Sequence, residues 1–261
     1  MKLFDAHLYA DGRTDADLEN LAWFGVERVL LTAHAPRRFE TAAELADYLR
    51  GLVEDVPDRF ERFGLTASVA VGIHPCAVPR RAHYEIWREL PELLAHPGVA
   101  ALGEIGLDLA SEAEWRLVER QLRLLVDLQL RKPVLFRLPP HPDTRWRRNQ
   151  IGRLAALVPA LGLPPDDVIV LHVDWMTVDA VLDAGFHALL SVNPLFLSVQ
   201  EALRILLHHD RRHLLAASSL RDGPFDVLAL PRLAVALAEA NLPTPEIARI
   251  VGGHAMALLV R

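Results

Sequence analysis

Cysteine, lysine and long apolar runs are the scarce features of this 261-residue chain. Cys76 is the only cysteine, which excludes an internal disulfide and a cysteine-rich zinc site. No stretch reaches the ~18 consecutive apolar residues of a membrane-spanning helix. The opening Met1-Lys2-Leu3-Phe4-Asp5-Ala6-His7 lacks the apolar centre of a secretory signal, so a cytoplasmic location is expected. Lysine occurs at Lys2 and Lys132 alone, the other basic residues being arginine. Acidic residues outnumber basic ones, 34 to 28, for a net charge of −6. That balance gives no overall basic surface for duplex nucleic acid. A glycine-rich loop ending in Lys-Ser or Lys-Thr is missing, which excludes a P-loop ATPase. So is a Gly-x-Ser-x-Gly elbow, and with it serine-esterase chemistry. Nothing in the sequence sets an oligomeric state.

Apolar residues are plentiful, at 51%, enough for a large core. Short apolar runs at roughly 2–7, 26–33, 65–73, 99–104, 133–138, 167–173, 187–192 and 213–218 are apolar on both parities. Strands buried on both faces of a parallel sheet have that pattern. Helical stretches are expected between them, at 14–24, 41–62, 111–130, 144–161, 176–184 and 198–210. Thr14 is a suitable N-cap for the first. In 111–130, Trp115, Leu117, Val118, Leu122, Leu125 and Leu128 form an apolar stripe, and Ser111 with Glu114 fits a capping box. Pro-rich points such as Leu138-Pro139-Pro140-His141-Pro142 mark loops. A last helix after Thr244-Pro245 is expected to close the bottom or side of the fold. Eight alternating βα units over 1–261, with no linker or repeat, predict one α/β domain, a (β/α)8 TIM barrel. An open doubly wound sheet is the alternative.

In such a barrel the working residues lie at the C-terminal strand ends. Those ends carry Asp5-Ala6-His7-Leu8-Tyr9, His34, Ile73-His74-Pro75, Gly103-Glu104, Phe136-Arg137, His172-Val173-Asp174, Asn193, and Ser218-Ser219-Leu220-Arg221-Asp222. A single histidine at a strand end is ordinarily a packed, hydrogen-bonded side chain. Four histidines and a glutamate at the ends of separate strands point to one polar mouth, with the usual donor mix for zinc or a similar ion.

Asp5-Ala6-His7, Gly72-Ile73-His74-Pro75 and Gly103-Glu104-Ile105-Gly106-Leu107-Asp108 resemble the TatD-type hydrolases of the amidohydrolase superfamily. The similarity is closest to a branch with counterparts of Ala33-His34-Ala35-Pro36, Gly72–Pro79 and Leu190-Ser191-Val192-Asn193-Pro194, and it covers essentially the whole chain. The resemblance implies one or two divalent ions (Zn, Mn or Mg). They would be held by a His-x-His pair on the first strand, a Glu on the fourth, a His on the fifth, a His on the sixth and an Asp on the eighth. Water activated there would attack a phosphoester. His7, Glu104 and His172 match that set. Tyr9, Arg137 and Ser219 stand where it has His, His and Asp.

Those departures have consequences. A serine hydroxyl lacks the charge and basicity of an aspartate. A guanidinium has no lone pair to donate and repels a nearby cation. Two expectations follow. In one, His7, Glu104 and His172 hold a single ion, Asp222 and Tyr9 assist proton transfer, and His34, His74, Arg137 and Ser219 contact a phosphoester or other small ester. In the other, the barrel is not catalytic, and Arg137 takes the metal's place and anchors an anionic ligand or a protein partner. The direction of the Arg137 head group separates them.

Four further features are read as structural. The basic stretch Asp143-Thr144-Arg145-Trp146-Arg147-Arg148-Asn149-Gln150 could stack on a base or clamp a phosphate, but fits the solvated face of a helix, with the Trp packed on a neighbour. His208, His209 and His213 sit near the start of the eighth strand, opposite the mouth, and are expected at the surface. Cys76 has no neighbouring base in sequence, and His254 fits a helix start.

Overall fold

The structure, a computed structural model, describes residues 1–33, 38–81, 83–221 and 225–260. Eight parallel strands follow one another in chain order: β1 (Leu3–Tyr9), β2 (Val26–Thr32), β3 (Thr66–Val71), β4 (Val99–Gly106), β5 (Val134–Arg137), β6 (Val168–Leu171), β7 (His187–Ser191) and β8 (Leu214–Ala217). The ring closes where Tyr9 N–H donates to Leu220 O at 3.0 Å and Ser219 N–H donates to His7 O at 3.0 Å. This is a (β/α)8 TIM barrel, not the open sheet.

The helices outside it are α1 (Asp15–Trp23), α2 (Ala42–Glu54), α3 (Val56–Glu61), α4 (Ile86–Ala95), α5 (Glu112–Asp127), α6 (Thr144–Ala160), α7 (Val178–Asp183), α8 (Val199–His208), α9 (Ala229–Glu239), α10 (Thr244–Ala248) and α11 (His254–Leu259). Both expected caps form: Thr14 with Asp17 on α1 and Ser111 with Glu114 on α5 make reciprocal capping boxes. The stretch 41–62 is two helices, because Asp55-Val56-Pro57 ends one and starts the other. α4, which carries Pro91 inside it, and α9 were not among the expected helices.

The core has two layers. Leu and Val side chains between barrel and helices form the larger. Inside the barrel, Phe4, Leu30, Leu135, Ile169, Leu189 and Leu215 alternate with the small Ala6, Ala70, Ala101 and Ala217. Ala255, Leu258 and Leu259 of α11 pack into the same cluster and plug its lower end, as the last helix was expected to do.

Two bulges aim the site residues. On β1, Asp5 pairs Val29 and Leu8 pairs Leu31, three steps against two. The alternation therefore resets, and His7 and Tyr9 reach the site while Leu8 joins the outer core. On β4, Leu102 pairs Val134 and Ile105 pairs Phe136, again three steps against two, around Gly103-Glu104. A Cβ at Gly103 would lie 2.6 Å from Leu135 Cβ, and one at Gly106 would lie 2.4 Å from Arg137 O. These glycines let β4 press against β5 and bring Glu104 beside Arg137.

Candidate functional site

Glu104 is the centre of the mouth and is fully buried. Its Oε2 accepts from Tyr9 O–H at 2.5 Å and pairs with His7 Nε2 at 2.9 Å. Its Oε1 has no hydrogen bond. Arg137 Nε lies 3.7 Å from Oε1, His74 Nε2 lies 3.9 Å from it, and Arg137 Nε is itself buried without a hydrogen bond. Burial alone would raise the carboxyl's pKa. The His7 hydrogen bond and the charges of His7, Arg137 and His74 outweigh burial and hold Glu104 well below the usual range, so it is ionised. Burial, reinforced by Glu104, pushes the Tyr9 phenol well up and keeps it a donor.

A chain of hydrogen bonds leads away from Glu104. His7 Nδ1 meets Ser219 Oγ at 3.0 Å, Ser219 Oγ meets Ser191 Oγ at 2.8 Å, and Ser191 Oγ meets His172 Nδ1 at 2.7 Å. Hydroxyls both donate and accept, so the chain can polarise in either direction. Burial holds His172 well below its ordinary pKa, in the neutral form. Its ring stacks on Phe196 at 3.8 Å between centroids. Its open edge lines a hollow of about 350 Å³ shared with His141, Arg147, Asp174 and Phe196.

Arg137 enters the mouth, with its side chain 13% exposed. Its Nη1 donates to His74 Nε2 at 3.0 Å, and no described residue hydrogen-bonds its Nη2. His74 Nδ1 also faces Cys76 N–H at 3.1 Å. Burial, aided by Arg137, lowers His74 to about 4. A neutral imidazole offers one lone pair, so it accepts one of these two donors at a time. Arg221 is the second cation whose charge reaches Tyr9, His74 and His172.

Of the residues singled out in sequence, His7, Tyr9, His74, Glu104, Arg137, His172 and Ser219 meet at the mouth. His34 and Asp222 lie outside the described residues. Sequence reasoning missed the positioning groups. Gln121 on α5 accepts from Ile73 N–H at 2.6 Å and donates to Ile73 O at 3.0 Å, fixing the chain just before His74. Its signal was a polar residue inside the apolar stripe. Asp5 accepts from Ser218 N–H at 3.0 Å and from the Ser218 hydroxyl, which fixes the residue before Ser219. Arg147 does not lie on a solvated helix face. It is buried, pairs with Asp174 and donates to His172 O at 3.2 Å.

The donor set at the mouth does not fit a divalent ion as it is arranged. His7 spends both nitrogens on protein partners, Glu104 Oε2 takes two donors, and the free oxygen faces a guanidinium. Among the described residues, the group of His, Cys, Asp and Glu whose ligand atoms all lie within 4.8 Å of one another is Asp166, His187 and His213, at the other end of the barrel. Among them too, no helix is long and apolar enough to cross a membrane. Burial, followed by Asp108, pushes the Cys76 thiol up, which suits a structural side chain.

Comparison with known proteins agrees with this architecture. The model of the TatD related DNase family matches residues 4–135. An uncharacterized metal-dependent hydrolase of Methanocaldococcus jannaschii is 29% identical over 231 residues, covering 88% of each chain. A TatD-like protein from Archaeoglobus fulgidus superposes with a TM-score of 0.81 at 25% identity, over 99% of this chain and 100% of that one. A beta-aspartyl dipeptidase from Fervidobacterium islandicum shares the fold, with a TM-score of 0.68 at 15% identity, over 99% of this chain and 75% of that one.

Proposed function

The chain belongs to the TatD-related DNase family of hydrolases, and from that premise we propose that its mouth binds the anionic group of a small molecule, a phosphoester by preference, on Arg137. The observation that carries this reading is the 3.7 Å approach of Arg137 Nε to Glu104 Oε1 inside the mouth. A fixed cation occupies the electrostatic place of the family's metal, and its Nη2 retains N–H groups for a ligand. A guanidinium fork matches the spacing of phosphate oxygens. Arg221 adds a second positive charge whose field reaches Tyr9, His74 and His172. Apolar and aromatic contact with the ligand would come from the hollow beside His172 and Phe196.

A second reading keeps metal-dependent hydrolysis, with one ion on His7, Glu104 and His172 and with Asp222 and Tyr9 assisting proton transfer. The unpaired Oε1 of Glu104 favours it, as does the similarity to a metal-dependent hydrolase. It requires Arg137 to withdraw.

Calorimetric titration of EDTA-treated protein with inorganic phosphate tests the first reading. Binding that weakens at least ~10-fold in Arg137→Gln supports it. Phosphate binding that appears only after zinc or manganese is added, and vanishes in His7→Ala, supports the second.

A further inference from the structure

At the N-terminal rim, opposite the mouth, three adjacent strands begin with a donor group. Asp166 lies in the turn Pro165–Asp167 before β6, His187 is the first residue of β7, and His213 ends the turn Arg211–His213 before β8. We propose that Asp166, His187 and His213 form a zinc site that staples these three strand starts, independent of the reading of the mouth.

The spacing is already that of a coordination sphere. Asp166 Oδ1 lies 3.1 Å from His187 Nε2 and 3.4 Å from His213 Nδ1. Ligand atoms ~2.0–2.1 Å from a tetrahedral ion stand about 3.3–3.4 Å apart. The remaining pair is within 4.8 Å. His187 Nε2 hydrogen-bonds Asp166 Oδ1, but hydrogen bonding does not account for the approach of His213. His213 Nδ1 is buried and makes no hydrogen bond, despite its distance to Asp166. The two imidazole rings stand 4.6 Å apart, tilted by 40°, with His187 nine-tenths buried. An ion among the three atoms gives the idle lone pair of His213 a partner.

Two imidazole nitrogens and one carboxylate oxygen suit zinc; magnesium and calcium prefer all-oxygen sets. Three protein ligands leave a fourth position for water. Entry is open, because Asp166 is 66% and His213 43% exposed. Joining the starts of β6, β7 and β8 would stabilise the folded chain in proportion to zinc concentration.

The test is titration of EDTA-stripped, full-length protein with Co(II) and with Zn(II), following the cobalt absorption spectrum, bound zinc and the melting temperature. Asp166→Asn and His213→Ala alter side chains that are 66% and 43% exposed, so both variants are expected to fold. The expected result is one equivalent of zinc, a tetrahedral cobalt spectrum and a zinc-dependent rise in Tm in the wild type, with all three lost in both variants. Zinc retained in full by the variants, or no zinc bound by the wild type, overturns the site.

Discussion

Arg137 Nε and Glu104 Oε1 face each other at 3.7 Å in the barrel mouth, and neither atom makes a hydrogen bond. The pair is electrostatic without being a closed salt bridge. Each retains bonding capacity, the carboxylate on one oxygen and the guanidinium on Nη2. An ion that approached Oε1 would have to displace Arg137. An anion would complete it.

Removal of the Arg137 cation should destabilise the fold as well as abolish anion binding. Glu104 would stay buried with only His7 and Tyr9. Losing one partner of a buried charge pair costs about 3–5 kcal/mol. Urea unfolding of Arg137→Leu should show this as a lower midpoint, and Glu104→Gln in the same background should recover part of the loss.

Tyr9→Phe removes one donor to Glu104 without leaving a cavity. A hydrogen bond to a charged group is worth about 1.5–3 kcal/mol. The same measurement should show a loss of that size, with an unchanged denaturant slope.

Ser191 and Ser219 join His172 to His7 through hydroxyls 2.8 Å apart. Substitution of either by alanine leaves the other without that partner, so the two effects should not add. A double-mutant cycle should give a coupling of about 0.5–3 kcal/mol. Strict additivity would mean that the relay has no energetic reality.

Stability of metal-free protein should fall as pH drops from about 6.5 to about 4. His74 sits at about 4 when folded, against its ordinary 6.5. Across that window the unfolded chain therefore binds a proton that the native state refuses. Its effect is absent above the window and complete below it, about 3 kcal/mol at most. His172 is lowered in the same direction. The stability-versus-pH curve of His74→Gln should be flatter in this range.

The barrel was legible because its strands are continuous apolar runs, and all eight lie where those runs do. The mouth was legible as a set of strand-end residues, since His7, Glu104 and His172 lie at the ends of β1, β4 and β6. What the sequence could not carry was direction. Bulges at Ala6-His7 and Gly103-Glu104 decide which side chains point inward, and a one-residue bulge leaves no periodic mark. Gln121 and Arg147 were hidden for a related reason. Each is a polar residue on a helix whose partner is distant in sequence, Ile73 for one and Asp174 for the other. His213 lies half-exposed, in keeping with the surface expected of it, while its buried neighbour His187 drew no expectation, because burial of a strand's first residue depends on residues distant in sequence, here Asp166 and His213.

The most direct test of the central claim is a crystal structure of zinc-loaded protein grown with phosphate, with anomalous data at the zinc edge. The account predicts no anomalous peak between His7, Glu104 and His172, with Arg137 in place and phosphate on its Nη2. A zinc peak within ~2.0–2.2 Å of His7 and Glu104, with Arg137 swung away, would contradict it.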